Sequence, residues 1–119
     1  MRNSFFLFLT FAATGCYYDV EETLYGLGCP ESELTYDASI KTLMTNHCTG
    51  TACHSGANPA GGKDFTTYDA VRQATLEGSL INVLLLPSGN SLSMPPIGAL
   101  DSCSINLIQN WADAGAPEN

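Results

Sequence analysis

Two cysteines and a histidine lie within seven residues of each other, at positions 48–54 in the run CTGTACH. Thiols this close constrain the fold of a small chain strongly, because they either crosslink a tight loop or bind a shared group. A structural disulfide and a zinc site are two such outcomes. Zinc prefers four ligands, usually in two spaced pairs, and only His47 or the distant Cys29 and Cys103 could complete that set. The adjacent side chains Cys53 and His54 would rarely both reach one tetrahedral ion.

A haem makes different demands on the same residues. Each thiol can form a thioether with one vinyl group, and the histidine that follows then lies beneath the iron, as in the usual attachment run Cys-x-x-Cys-His. Here four residues rather than two separate Cys48 from Cys53, and the small residues at 49–51 allow the longer loop to bulge outward. The run therefore predicts covalent attachment through both thiols, with His54 as the proximal iron ligand. The alternatives are a solvent-exposed loop histidine at 54 and the competing imidazole of His47, which we interpret as a surface group.

Length and charge restrict the class of protein. A chain of 119 residues has room for one small domain, and such domains often need a disulfide, metal or cofactor to supplement a thin core. Twelve acidic residues against four basic ones give a formal net charge of -8. This acidic surface repels phosphate backbones, so we expect no nucleic-acid partner. It would suit a basic patch on a partner protein.

The N-terminal segment predicts export. Residues 1–15 begin with a positive Arg2 and contain an apolar run, residues 5–13, that is too short to span a bilayer. With the small residues before Cys16, this segment resembles the signal peptide of bacterial lipoproteins, in which the cysteine becomes the lipidated first residue. An ordinary signal peptidase could instead cut nearby and leave Cys16 as a free thiol. Residues 16–33 are predicted to be a flexible tether, which places the protein on a membrane, facing the periplasm or the cell surface.

The remaining residues, 34–119, are predicted to form one all-α domain. Apolar residues recur at helical spacing in 37–47, with Thr35 or Asp37 as the N-cap, and in 68–77 after Thr66 or Thr67. The apolar run 80–86 fits a short helix or a strand, and its position after a helix favours helix. A last helix begins at the N-cap Ser102 and ends at Gly115. The residues expected to face the core are Ile40, Leu43, Met44, Val71, Leu76, Ile105, Ile108, Trp111 and Ala112.

The order of helix, thiol–histidine loop, middle helices, Met-Pro loop and terminal helix resembles a class I c-type cytochrome domain. More narrowly, it is similar to bacterial lipoprotein cytochromes with a Cys-x4-Cys-His run. The motifs that carry the resemblance, over residues 34–117, are Cys48, Cys53 and His54, DFTTY at 64–68, MPP at 94–96 and WADAGAP at 111–117. The resemblance implies a small cytochrome c-like fold, in which crossed N- and C-terminal helices enclose one covalently bound haem c.

The resemblance also implies that Met94 is the distal iron ligand. A thioether raises the potential relative to two imidazoles, and Pro95 and Pro96 would stiffen its loop. The alternative role of Met94 is an apolar gap-filler, which would leave the iron open or bound by His47, while Met44 is expected to lie in the core. The side chains expected to wall the haem pocket are Phe65, Tyr68, Leu84 and Trp111; their alternative role is ordinary core packing.

The chain has five cysteines, and the roles proposed for three of them leave two that could pair. If Cys16 is lipidated and Cys48 and Cys53 bind haem, Cys29 and Cys103 remain, and an oxidising compartment favours a disulfide between them. Free thiols or a different pairing are the alternatives.

Together these features predict a membrane-tethered monohaem cytochrome that carries single electrons between redox partner proteins. We expect an electron carrier rather than an enzyme, although it could be an accessory subunit of a larger oxidoreductase. Six-coordinate iron would leave no position for a substrate, and the sequence shows no nucleophile–base pair and no phosphate-binding loop. The alternative function is a non-redox lipoprotein module that binds haem or another metal for sensing or structure.

Overall fold

A computed structural model of the chain describes Cys29 and residues 32–119. The predicted signal peptide, the lipidation site Cys16 and most of the predicted tether lie outside the described residues. The described part forms helices and no strand, which confirms the all-α prediction at the level of secondary structure. No helix in this part is both long and apolar enough to cross a membrane.

Four α-helices make up the domain. A π-helical turn, Tyr36–Ile40, continues directly into α1, Lys41–His47. After a long loop that contains the short 3-10 turn Ala60–Gly62, α2 spans Tyr68–Leu76 and α3 spans Ser79–Leu84. The last helix, α4, spans Ser102–Asp113. The apolar run at 80–86 is therefore helical, as predicted, over most of its length.

Side-chain caps begin the first two long helical segments where the sequence predicts them. The Thr35 hydroxyl accepts a hydrogen bond from the backbone N–H of Ala38 at 3.3 Å. The Thr67 hydroxyl accepts one from the N–H of Ala70 at 3.4 Å. Each cap supplies an acceptor for one of the N–H groups that lack a partner in the first helical turn.

The predicted cap of the last helix is wrong by one residue. Asp101, not Ser102, is the N-cap of α4, and its carboxylate accepts bonds from the Ser104 N–H at 3.0 Å and the Ser104 hydroxyl at 2.7 Å. Aspartate and serine are similarly good N-caps. The aspartate carries two acceptor oxygens and so binds both donors of Ser104, leaving Ser102 as the first helical residue.

The core side of α2 also differs from the prediction at one position. Val71 is fully buried as expected, but Leu76 is 46 % exposed and Ala74 and Thr75 are buried instead. Residues 71, 74 and 75 share a face because they are three and four positions apart. Thr75 can be buried because its hydroxyl donates to the carbonyl of Val71 at 2.8 Å. The fully buried large side chains of the core are Ile40, Met44, Val71, Ile108 and Trp111.

The first helical turn and the C-terminal end of the chain are in contact. The backbone N–H groups of Tyr36 and Asp37 donate to the carbonyls of Pro117 and Glu118, each at 3.0 Å. The Tyr36 ring also lies against the Trp111 ring, with centroids 6.2 Å apart. The start of the helical part therefore contacts the C-terminal residues beside the core.

Cys29 and Cys103 are paired in a disulfide, with their Cα atoms 5.3 Å apart. The pairing agrees with the sequence prediction. It connects the segment before the first helix to the first turn of α4 and closes a loop with a sequence separation of 74.

Candidate functional site

The two candidate thiols lie on a closed loop at the end of α1. Cys48 is the C-cap of α1, and its N–H donates to the carbonyl of Met44 at 2.8 Å. Its own carbonyl accepts from the His54 N–H at 3.0 Å, and the Cys53 N–H donates to the carbonyl of Gly50 at 2.9 Å. These two bonds close the loop, and residues 50–53 are exposed. The extra residues of the longer spacing therefore face solvent.

The environments of the two thiols differ. Cys48 is buried and Cys53 is exposed, and neither is in a disulfide. Burial raises the pKa of the Cys48 thiol to about 11, and the neighbouring Cys53 adds a smaller electrostatic contribution in the same direction. The structure therefore does not show the alternative of a disulfide between Cys48 and Cys53. Each of these sulfur atoms can still form a covalent bond.

The imidazole of His54 is held in one orientation. Its Nδ1 atom lies 3.0 Å from the backbone carbonyl oxygen of Lys63. A carbonyl only accepts, so Nδ1 is the donor, and in the neutral imidazole this tautomer leaves the lone pair on Nε2. Phe65 completes the contact: its N–H donates to the His54 carbonyl at 2.8 Å, and the ring centroids of the two residues are 4.7 Å apart.

This arrangement suits a metal-binding histidine. Histidines that bind metals usually donate their other ring N–H to a carbonyl, a carboxylate or water, which fixes the tautomer and raises the basicity of the ligating nitrogen. The His54–Lys63 bond has that form. The competing imidazole, His47, lies exposed at the last residue of α1.

Met94 is half-buried, on a loop that folds back on α3. Its backbone N–H donates to the carbonyl of Val83 at 3.1 Å, and the hydroxyl of the preceding Ser93 donates to the carbonyl of Leu86 at 3.4 Å. Met44, by contrast, is fully buried on α1, as its place in the apolar stripe predicts.

Among the four residues predicted to wall a haem pocket, Phe65 packs its ring against the ring of the candidate ligand His54. Trp111 is fully buried, and its ring N–H donates to the carbonyl of Pro117 at 2.9 Å. The Tyr68 hydroxyl donates to the carbonyl of Ala116 at 2.8 Å, and Leu84 is buried in the core. Trp111, Tyr68 and Leu84 therefore pack in the core, which does not exclude a role in walling a haem pocket.

Two clefts lie away from the candidate ligands. The larger, of about 670 Å³, lies beside the Cys29–Cys103 disulfide and is lined partly by Leu107. The smaller, of about 220 Å³, lies between Phe65 and α2. Neither is lined by the candidate ligands or thiols.

Sequence reasoning missed one contact of the candidate site and one residue of the core. The sequence does not indicate that the Lys63 carbonyl contacts His54, because every residue carries the same backbone acceptor. Tyr36, which is buried against Tyr68 and Trp111, could have been found, since it lies four residues before Ile40 on the same helical stripe.

The zinc and haem alternatives require different sets of donor groups. Within residues 32–119 and Cys29, no three histidine, cysteine or acidic side chains converge on a possible metal site, so the zinc alternative has no ligand set there. A haem requires two thiols for its edge and one imidazole nitrogen for its iron, with a thioether such as Met94 as a further ligand. Cys48 and Cys53 are unpaired and the His54 Nδ1 faces a carbonyl, so the chain carries groups of the first two kinds.

Comparison with known proteins finds no matching family model, no similar curated protein and no similar solved structure.

Proposed function

We propose that this chain is a membrane-tethered monohaem c-type cytochrome that carries single electrons between redox partner proteins. One observation carries the proposal: two unpaired thiols lie on a closed loop directly before a histidine whose Nδ1 is bonded to a backbone carbonyl. The proposed domain is cytochrome c-like and all-α. Its contact between the first helical turn and the C-terminal end supports that fold.

Cys48 and Cys53 would each add their S–H across one vinyl group, forming two thioethers without any change in oxidation state. A bound haem c would supply a one-electron Fe(III)/Fe(II) couple. Because Cys48 is buried at the end of α1, it would fix the attached group to the helix. Cys53, on the exposed side of the loop, would hold the other edge.

His54 would bind the iron through Nε2. The Lys63 carbonyl keeps the imidazole in the required tautomer, and Phe65 packs against the ring. Met94 would be the distal ligand, on a loop held to α3 by the bond to Val83. If His54 and Met94 both held the iron, no position would remain for a substrate, so electron transfer would be favoured over chemistry on a bound substrate.

Export and lipidation belong to the same proposal. A lipid on Cys16 would anchor the exported protein to the membrane through residues 16–33, on the periplasmic or cell-surface side. The formal net charge of -8 favours redox partners with a basic docking surface, since opposite charges speed encounter.

The test is intact-mass analysis of the exported protein from cells that contain haem-attachment machinery, together with a pyridine haemochrome spectrum. We expect the mass of one haem and a c-type spectrum. His54→Ala should lose stable haem, whereas the control His47→Ala, at an exposed position outside the loop, should retain it. A wild-type protein without the haem mass would contradict the proposal.

A further inference from the structure

The segment 63–66, which contacts His54, contains a pair of hydrogen bonds on its exposed side. One carboxylate oxygen of Asp64, Oδ1, accepts two hydrogen bonds from Thr66: from its N–H at 2.9 Å and from its hydroxyl at 2.6 Å. These bonds lower the pKa of Asp64, the hydroxyl bond being the larger cause. We call this pair the Asp64–Thr66 brace. Both residues belong to the DFTTY motif at 64–68, and the proposed electron transfer gives neither of them a role.

The brace is connected covalently to both contacts that orient His54. The carbonyl oxygen of Lys63 belongs to the peptide group whose nitrogen is that of Asp64, so the rotation of Asp64 about its N–Cα bond orients this carbonyl. On the other side, Phe65 lies between Asp64 and Thr66 and donates its N–H to the His54 carbonyl. An aspartate that bonds the backbone two residues on restricts the conformation of the residues between. The brace therefore restricts the segment that contacts His54.

We propose that Asp64 and Thr66 are positioning residues that set the strength of the hydrogen bond from His54 to the Lys63 carbonyl, and through it the reduction potential of the bound haem. This inference rests on the proposed function. A strong Nδ1–H bond makes the imidazole more basic, which favours Fe(III) and lowers the potential. Loosening the brace weakens that bond and raises the potential.

The decisive variant pair is Asp64→Ala and Asp64→Asn in the haem-loaded protein. Asparagine keeps the Oδ1 acceptor and removes the charge, whereas alanine removes both. At the wild-type midpoint potential, we expect the ratio of reduced to oxidised haem to rise several-fold in Asp64→Ala and to change much less in Asp64→Asn. An equal rise in both would overturn the brace, because the effect would then come from charge alone.

Thr66→Val provides a second variant without any change in charge. It removes the hydroxyl donor and keeps the N–H donor, so we expect a smaller rise of the same ratio. This milder variant tests the inference if Asp64→Ala does not hold haem. A ratio equal to that of the wild type in Thr66→Val would count against a role for the hydroxyl bond in the brace.

Asp101 offers a matched control. Its carboxylate makes the same two kinds of bond, to the N–H and hydroxyl of Ser104, but at the start of α4 and not next to a residue that contacts His54. Asp101→Ala should weaken the start of α4 and leave the reduced-to-oxidised ratio unchanged. A shift as large as that of Asp64→Ala would overturn the inference.

A spectroscopic readout separates positioning from general stability. The proton NMR signal of the His54 Nδ1–H should move toward that of a weaker hydrogen bond in Asp64→Ala and not in Asp101→Ala. Wild-type protein without haem would contradict the proposed function. If the wild type binds haem and Asp64→Ala has the same Nδ1–H signal and the same potential, the proposed function stands and the role of the Asp64–Thr66 brace is contradicted.

Discussion

Tyr36 donates its backbone N–H to the carbonyl of Pro117 at 3.0 Å, so the first helical turn is bonded to the third residue from the end of the chain. The same carbonyl accepts the ring N–H of the fully buried Trp111 at 2.9 Å. A single carbonyl near the C-terminus thus satisfies two donors, one from each end of the folded domain.

Deleting residues 117–119 should destabilise the domain. It removes the Pro117 carbonyl, which accepts from the buried residues Tyr36 and Trp111, and the Glu118 carbonyl, which accepts from Asp37. Asp37 is exposed, so water can replace its acceptor, whereas each unsatisfied buried donor costs about 1–3 kcal/mol. We expect the free energy of unfolding, measured by urea denaturation, to fall by roughly 2–6 kcal/mol. Deleting Asn119 alone, which keeps the Pro117 carbonyl, is the control and should have little effect. Equal stability of the two truncated proteins would contradict this role for Pro117.

The two thiols should differ in reactivity when the protein is made without haem. Cys48 is buried and its pKa is raised to about 11, whereas Cys53 is exposed and accessible to reagent. At pH 8 we expect iodoacetamide to modify Cys53 well before Cys48, as followed by mass spectrometry of the loop peptide. In urea the two rates should converge, because burial is lost. Equal rates in the native protein would contradict the burial of Cys48.

The raised pKa of Cys48 also predicts a pH dependence of stability in the haem-free protein. The folded value, about 11, exceeds the ordinary value of 9.0, so the folded state holds this proton more tightly than the unfolded state. The contribution to stability is therefore fully present below pH 9 and is lost as the pH rises through about 11. The Cys48→Ala variant should lose less stability than the wild type over that interval in urea titrations. Parallel curves for the two proteins would be evidence against the shift.

If haem is attached as proposed, Met94→Ala should keep it, since both cysteines of the proposed attachment remain. The variant should lower the reduction potential, because it removes the proposed thioether ligand. The measurement is a redox titration. Met44→Leu is the control: Met44 is fully buried in the core, so this volume-conserving change should cost less than about 1.5 kcal/mol of stability and leave the potential unchanged. Unchanged redox behaviour in Met94→Ala would remove Met94 from the proposed ligand set.

Cys103→Ala should destabilise the domain by on the order of 4 kcal/mol, because the disulfide closes a loop with a sequence separation of 74. In the chain-entropy account of disulfides, most of the effect arises in the unfolded chain, because the crosslink lowers its conformational entropy. The free energy of unfolding should therefore fall by a similar amount when the wild type is reduced, and a reductant should not further destabilise Cys103→Ala. A reductant-insensitive wild type would argue against the pairing.

Local patterns in the sequence determined the helices of this protein. The stripe of Ile40, Leu43 and Met44 and the caps Thr35 and Thr67 depend on contacts between residues three or four positions apart, which are readable along the chain. The pairing of Cys29 with Cys103 followed from assigning roles to the other three cysteines. The thiols proposed to bind haem and the proposed ligand His54 were found in a single run of seven residues.

Tertiary structure alone decided how these residues are held. Which carbonyl meets the Nδ1 atom of His54 depends on the path of the loop to Lys63, and backbone acceptors are chemically identical along the chain. The burial of Cys48 and the exposure of Cys53 likewise depend on which side of the loop packs against the core. Thr75, and not Leu76, is buried on α2. Its burial depends on the hydrogen bond from its hydroxyl to the Val71 carbonyl and on how α2 packs against the core. The hydrophobicity of the two residues predicts neither.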